Sequence, residues 1–104
     1  MGLEVRAIDH VERCYSNDDG LVIKLIISNL FERNEKVVFS FQGIDGVTSS
    51  FVNTAFIELL HDYSFNFIKE NLTFVNSNTQ INRMIRDRFN FEVKRRKNMI
   101  EVPV

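Results

Sequence analysis

The sequence predicts an α/β fold in which a small mixed β-sheet carries about three helices, packed mainly on one face. Segments with strand-like apolar runs alternate three times with segments of helical spacing. Turn clusters rich in Asn, Asp, Ser and Gly separate these segments. An order of strand, helix, strand, helix, strand, helix favours a mostly parallel or mixed sheet. The 104 residues, 44% of them hydrophobic, suffice for a single domain spanning 1–104.

The first strand and the first helix are predicted in the N-terminal third of the chain. Residues 3–11 mix apolar and polar side chains as a first strand does. A turn cluster follows, in which Ser16 or Asp18 can cap the next helix. From about 19 to 33 apolar residues recur at helical spacing, and extra apolar side chains such as Leu25 widen the stripe. We therefore expect this helix to be largely buried.

The central strand is predicted at 37–41, where β-branched and aromatic residues follow one another without a break. Such a run is typical of a strand covered on both faces. A turn with two glycines, at 42–46, leads to the second helix, predicted from about 50 to 63. The pattern of the second helix places its Phe and Leu residues on one buried face.

The last strand and the last helix are predicted between residues 67 and 91. A helical turn at 67–72 leads into a strand at 73–75, and a third helix runs from about 79 to 91 or beyond. Residues 97–104 are predicted to form a short edge strand or a frayed tail, because Pro103 argues against a central strand.

Composition favours a cytoplasmic protein without a membrane span. Cys14 is the single cysteine, so no internal disulfide can form, and no secretion signal is recognisable. The longest apolar run, 21–30, is interrupted by Lys24, Ser28 and Asn29, which makes it unsuitable for crossing a bilayer.

The residues that carry most enzymatic chemistry are poorly placed for it. His10 and His61 lie far apart in sequence and Cys14 has no thiol neighbour, so we predict no metal site. Ten or more helical residues separate His61 from Ser49 and Ser50, a distance of about 15 Å that excludes a serine–histidine pair. The glycine-bearing loop lacks the lysine of a phosphate loop. We therefore predict no enzyme, no catalytic residue and no cofactor.

Two serines at the start of the predicted second helix, Ser49 and Ser50, have either a structural or a regulatory role. One interpretation is that Ser50 or Ser49 caps the helix, which is worth about 1 kcal/mol. The other is that one of them is a phosphoacceptor, where a phosphate adds nearly two negative charges. The residues alone leave both interpretations open.

Charge is distributed unevenly along the chain. Residues 1–60 hold five Lys/Arg and nine Asp/Glu, whereas residues 61–104 hold eight and five. The basic side chains near the C-terminus are the candidates for contact with nucleic acid: Arg86, Arg88, Lys94, Arg95, Arg96 and Lys97. A solvated basic helix end explains them as well, and we favour that interpretation over nucleic-acid binding.

The segment from the central strand into the second helix resembles a known family. The strand 37–41 is followed by Gly-Val-Thr-Ser-Ser-Phe at 46–51, then by Ala-Phe at 55–56 and Leu-Leu at 59–60. This pattern is similar to that of the STAS-like domains, relatives of the sulfate-transporter and anti-sigma-factor-antagonist fold. A looser similarity extends over about 18–90.

The resemblance implies a non-enzymatic regulatory module that docks a protein partner. In the anti-sigma-factor antagonists, a histidine-kinase-like ATPase phosphorylates a serine at this helix start, and phosphorylation releases the antagonist. Ser49 is the best positional match for that serine and Ser50 is its neighbour. Thr48 and Phe51 stand where the antagonists usually have an acid and a glycine, which suggests the STAS-like branch.

The docking surface implied by the resemblance is the loop at 43–48 with the exposed face of the second helix. Its expected partner-binding residues are Asp45, Thr48, Asn53, Thr54 and Glu58. Two further possibilities remain open at this point. One is a structural subunit in which the serines only cap the helix. The other is a homodimer formed through the thinly covered sheet face.

Overall fold

The computed structural model describes the backbone of residues 2–101 and the side chains of residues 2–96. Three strands, four α-helices and two 3-10 turns follow one another in these residues. Their order is β1 (Leu3–Arg6), a 3-10 turn (Ala7–Asp9), α1 (Asn17–Glu32), β2 (Val37–Ser40), α2 (Ser49–Ala55), a second 3-10 turn (Ile57–His61), α3 (Phe65–Asn71), β3 (Leu72–Val75) and α4 (Thr79–Glu101).

The three strands form a parallel sheet in the order β1-β2-β3. Both crossovers step across the sheet in the same direction, and parallel crossovers are almost always right-handed, so both connections lie over the same face. Val5, Phe39 and Leu72 are buried on that face, whereas Glu4 and Thr73 on the other face are exposed. The predicted fold class is confirmed. The described strands are all parallel, and there are four helices where about three were expected.

The helix α1 is covered on only one side, which corrects the prediction that it is largely buried. Ser16 caps it, because the Ser16 hydroxyl accepts a hydrogen bond from the Asp19 N–H at 3.1 Å. Ile23 and Ile27 are fully buried, but Leu25 on the opposite side is 60% exposed. Periodicity predicted the helix correctly and overestimated its coverage, because nothing among the described residues packs against its outer side.

Close packing of α1 on α2 depends on Gly20. A Cβ atom at this position would lie 2.8 Å from the Thr54 Cβ and 2.9 Å from the Phe51 carbonyl oxygen. Real Cβ atoms essentially never approach other atoms this closely, so the side chain of any other residue would force the two helices apart. Glycine therefore sets the distance between α1 and α2.

The strand β2 is covered on both faces only near its end. Val38 is half-buried, because it points to the sheet face on which no helix of the described residues lies. Ser40 points to the same side and is fully buried, and its hydroxyl accepts a hydrogen bond from Asn76 Nδ2 at 2.9 Å. The prediction that this strand is covered on both faces is therefore wrong at Val38.

A cluster of phenylalanines fills the space between the sheet and α2. Phe56 lies at its centre and meets four other rings edge-on, with centroid distances between 4.9 and 6.3 Å. These rings belong to Phe39, Phe41, Phe51 and Phe74. The backbone leaves helical geometry at Phe56, with φ −122°. The single helix predicted from 50 to 63 is therefore divided into α2 and a 3-10 turn.

The C-terminal helix is longer than the sequence pattern indicated. Its backbone is helical through Glu101, so residues 97–101 form no edge strand. The remainder of the predicted tail, 102–104, lies outside the described residues. No helix in the described part of the chain has the length and apolarity needed to cross a bilayer.

Candidate functional site

The loop at 43–48 lies beyond the C-terminal end of β2 and is held by hydrogen bonds from two directions. On one side, the Val47 N–H donates to Gln80 Oε1 at 3.0 Å and Gln80 Nε2 donates to the Val47 carbonyl at 3.1 Å. On the same side, Asn78 Nδ2 donates to the Asp45 carbonyl at 2.8 Å. On the other, the Thr48 N–H donates to the Cys14 carbonyl at 3.2 Å. The 43–48 loop is therefore fixed between α4 and the segment before α1.

Apolar anchors and one glycine complete the shape of the 43–48 loop. Ile44 and Val47 are buried, so the loop contributes to the core at two points. Gly43 has φ +82°, a conformation that side chains disfavour, and it allows the Ile44 N–H to turn back and donate to the Phe41 carbonyl at 2.8 Å. Asp45 lies between these anchors and is exposed.

The N-cap of α2 is Thr48, which corrects the expectation that Ser50 or Ser49 caps the helix. The Thr48 hydroxyl accepts a hydrogen bond from the Phe51 N–H at 3.2 Å and donates one to the Tyr15 carbonyl at 2.6 Å. Three consecutive hydroxyl residues left the helix start ambiguous in the sequence. The contact with Tyr15, which is 33 residues away, selects Thr48.

Ser49 and Ser50 are the first two residues of α2, and both side chains are exposed. Within the described part of the chain, neither hydroxyl has a hydrogen-bond partner. A modification of either hydroxyl would therefore leave the cap of α2 in place.

The three docking residues predicted on the second helix lie at contacts with neighbouring helices. Arg88 Nε donates to Asn53 Oδ1 at 2.9 Å, linking α2 to α4. The Thr54 hydroxyl donates to Asn17 Oδ1 at 3.1 Å, linking α2 to α1.

Glu58, in the 3-10 turn that follows α2, likewise accepts from Lys24 Nζ of α1 at 3.1 Å. Asn53, Thr54 and Glu58 are all half-buried, because α2 is packed between α1 and α4. The exposed face expected for this helix is thus narrower than predicted. Of the two docking residues predicted on the 43–48 loop, Asp45 is exposed and Thr48 is half-buried.

A polar cleft of about 180 Å³ adjoins the 43–48 loop. It lies between residues 12–15 and residues 43–46, two segments that sequence patterns gave no reason to bring together. Cys14 lines it with its thiol fully buried, and burial, with a smaller contribution from Asp19, raises the pKa of Cys14 to about 12. The thiol is therefore protonated at neutral pH and unsuited to nucleophilic attack.

No group of three His, Cys, Asp or Glu side chains within residues 2–96 is arranged as a metal site.

Three of the six basic side chains predicted as a nucleic-acid surface, those of Arg88, Arg95 and Arg96, make contacts within the protein. Arg95 and Arg96 both bond the buried Glu92, at 2.7 and 3.1 Å. The hydrogen bond from Arg95 is the main cause that lowers the pKa of Glu92. Arg88, besides its bond to Asn53, lies 5.1 Å above the centre of the Phe91 ring.

Two of the remaining basic side chains, those of Arg86 and Lys94, are exposed. Arg86 is 3.8 Å from its neighbour Asp87. The side chain of Lys97 lies outside the described residues.

Comparison of the sequence with known protein families finds a match. The model of the STAS-like domain of unknown function (DUF4325) matches residues 19–82. The matched segment runs from the first turn of α1, through the 43–48 loop and α2, to the first turn of α4. The chain matches none of the curated proteins and none of the solved structures with which it was compared. Because the family match covers more than half of the chain, the protein belongs to the STAS-like domains of unknown function.

Proposed function

We propose that this STAS-like domain is a non-enzymatic regulatory module whose protein partner docks on the 43–48 loop and the first turn of α2. Phosphorylation of Ser49 releases that partner. One observation carries the proposal: Thr48 caps α2, so the exposed hydroxyls of Ser49 and Ser50 have no role in holding the helix. A serine at this position can gain a phosphate without unfolding the surface that displays it.

The hydrogen bonds of the 43–48 loop support a role in recognition. Gln80 of α4 and Asn78 just before it hold the loop backbone on one side, and the Cys14 carbonyl holds it on the other by accepting from the Thr48 N–H. A surface whose shape is already fixed loses little conformational entropy when a partner binds. Asp45 is displayed on this fixed loop and offers the partner a carboxylate.

The neighbouring helices distinguish Ser49 from Ser50. Residues four apart share a face of a helix, so Ser50 lies on the side of Thr54 and α1, and Ser49 on the side of Asn53 and Arg88. The first turn of α1 carries two acids, Asp18 and Asp19. A phosphate on Ser50 would face that acidic side, whereas a phosphate on Ser49 would face α4, which makes Ser49 the better acceptor.

Release follows from charge. A phosphate brings nearly two negative charges to a surface that already displays Asp45. A partner with acidic groups near the start of α2 is then repelled, and binding returns when the phosphate is removed. The resemblance to anti-sigma-factor antagonists supports a histidine-kinase-like ATPase as both partner and kinase. The basic residues of α4 do not favour nucleic acid as the alternative, since Arg88, Arg95 and Arg96 make contacts within the domain.

The test is recovery of the protein from its own cells, followed by peptide mapping of residues 41–60. We expect a histidine-kinase-like ATPase in the bound pool and phosphate on Ser49 in the unbound pool alone. Capture should persist with Ser49→Ala and fail with Ser49→Asp. Gln42→Glu, which adds a single negative charge at an exposed position before the loop, is the matched control.

Two results would contradict the proposal. Equal capture by Ser49→Asp and the unchanged protein would remove the switch. Absence of phosphate from both pools would reduce the domain to a constitutive binding or structural subunit. Thermal unfolding of each variant shows whether lost capture reflects lost folding.

A further inference from the structure

The outer side of α1 carries apolar side chains that no described element covers. Leu21, Val22 and Leu25 are 46%, 40% and 60% exposed, within five consecutive residues. Leu25 also lines a shallow groove together with Ile26, Asn29 and Leu30. We name the set Leu21, Val22, Leu25, Ile26 and Leu30 the α1 stripe. Exposed apolar residues grouped in this way on one helix mark an interaction surface more often than isolated ones do.

Opposite charges lie at the two ends of the α1 stripe. Residues three or four apart share a helix face, so Asp18, Val22, Ile26, Asn29 and Arg33 follow one line along α1 and its last turn. Asp18 and Arg33 are both exposed, and within the described residues neither takes part in an ion pair. The surface therefore runs from an acid, across an apolar middle, to a base.

We infer that a second copy of this chain binds the α1 stripe, with the two α1 helices antiparallel about a two-fold axis. If Leu25 of one copy lies opposite Ile26 of the other, Leu21 lies opposite Leu30. The same alignment brings Asp18 of each copy to Arg33 of the other. The contact is isologous, so every favourable pair occurs twice.

The end charges select the antiparallel arrangement. A parallel pair of α1 helices would set Asp18 against Asp18 and Arg33 against Arg33, and like charges at close range are unfavourable. A partner of a different kind would need its own matching pattern of acid, apolar groups and base. A second copy already has that pattern, which is why we commit to it as the occupant.

The size of the contact makes the dimer weak. The 16 residues of α1 span about 24 Å. One helix pair of this length buries less than the roughly 800 Å² per partner of a standard interface. We therefore expect a dimer that dissociates on dilution, with a dissociation constant in the range of about 10 μM to about 1 mM. This inference is independent of the proposed phosphorylation switch, which uses the 43–48 loop and the start of α2.

Sedimentation equilibrium of the full chain, at protein concentrations from about 10 μM to about 1 mM, tests the inference. The apparent mass is expected to rise from that of one chain towards that of two. Leu25→Glu should lower the association constant at least about tenfold, because it places two charges in the apolar middle of the contact. Leu25 is exposed, so this substitution does not disturb the core. Leu3→Glu is the matched control, since Leu3 is 47% exposed on β1 and lies outside α1.

Reversing the charges of Asp18 and Arg33 tests whether these two residues pair between the copies. Asp18→Arg and Arg33→Asp should each weaken self-association roughly tenfold, because each converts two attractions into two repulsions. An equimolar mixture of these two variants should regain association, since each charge then meets its opposite in the mixed dimer. A mass that stays at one chain throughout overturns the inference. So does a Leu25→Glu variant that associates normally, or a mixture that does not recover.

Discussion

The side-chain amide of Gln80 forms two hydrogen bonds with the backbone of Val47, one accepted at 3.0 Å and one donated at 3.1 Å. The amide thus pairs with the backbone of Val47 much as a neighbouring strand would. Gln80 is in the first turn of α4, so the position of the 43–48 loop depends on a helix 33 residues further along the chain. This contact attaches the backbone of the proposed docking surface to α4.

Gln80→Ala should destabilise the domain by roughly 1–3 kcal/mol, because it leaves the N–H and carbonyl of Val47 without their partner. Hydrogen exchange of the Val47 amide should accelerate by more than the loss of global stability explains, since the loop itself is loosened. Urea unfolding and amide exchange measure the two effects.

The control for Gln80→Ala is Gln42→Ala, an exposed glutamine next to the same loop. The free energy of unfolding of Gln42→Ala should stay within about 0.5 kcal/mol of that of the unchanged protein. Indistinguishable exchange at Val47 in the two variants would show that the amide of Gln80 does not hold the loop.

The cap of α2 provides a second prediction. Thr48→Ala should cost about 1 kcal/mol of unfolding free energy, because the Phe51 N–H loses its acceptor. Thr48→Ser, which keeps the hydroxyl, should recover most of this loss. Ser49→Ala and Ser50→Ala should each change stability by less than about 0.5 kcal/mol. A larger loss from either serine than from Thr48 would mean that the serines cap the helix after all.

The order of the elements could be predicted from the sequence, because hydrophobic periodicity is a local signal. Strands at 37–40 and 72–75, and helices around Ile23 and Ile81, each carry their own pattern. The location of the helix-bearing face follows from the strand order, through the handedness of the crossovers. This information was sufficient for the fold class.

Features that depend on distant residues could not be predicted in the same way. The break in the second helix falls at Phe56, whose ring lies edge-on against rings from two strands, and periodicity cannot indicate contacts between such distant residues. An apolar residue such as Leu25 has the same helical spacing whether or not another element covers it. The choice of Thr48 over the adjacent serines as cap depends on Tyr15, far away in sequence.

Packing of α1 on α2 leads to a third prediction, at Gly20. Alanine is the better helix former by about 1 kcal/mol, so substitution on an exposed helix surface would stabilise the protein. At Gly20 the added Cβ would meet the Thr54 Cβ and the Phe51 carbonyl at less than 3 Å, and overpacking typically costs about 1–3 kcal/mol. Gly20→Ala should therefore destabilise the domain.

Asn29→Ala on the exposed side of α1 is the matched substitution for Gly20→Ala, and it should be neutral or stabilising. Chemical unfolding at concentrations below self-association compares the two. A stabilised Gly20→Ala variant would mean that α1 and α2 can separate without loss of core packing.

The last prediction concerns the dependence of stability on pH at Glu92. The hydrogen bond from Arg95 lowers the pKa of this carboxyl in the folded protein most, burial opposes it, and the charge of Arg95 with the hydrogen bond and charge of Arg96 lowers it further. A group whose folded pKa is lowered stabilises the fold above its unfolded pKa, about 4.3 for Glu, and loses that contribution as the pH falls through the folded value. Glu92→Gln should therefore be less stable than the unchanged protein at pH 7. The difference should shrink as the pH is lowered below about 4.

Urea unfolding at a series of pH values measures the difference between the two proteins. Glu12→Gln, at an exposed position outside α4, is the control. At every pH its free energy of unfolding should differ from that of the unchanged protein by less than that of Glu92→Gln does. Because Arg95 and Arg96 reach the same Glu92 oxygen, Arg95→Gln should reproduce part of the Glu92→Gln effect at neutral pH. A Glu92→Gln difference that does not change with pH would mean that the carboxylate charge contributes nothing to the fold, and that Glu92 acts through its size and hydrogen bonds alone.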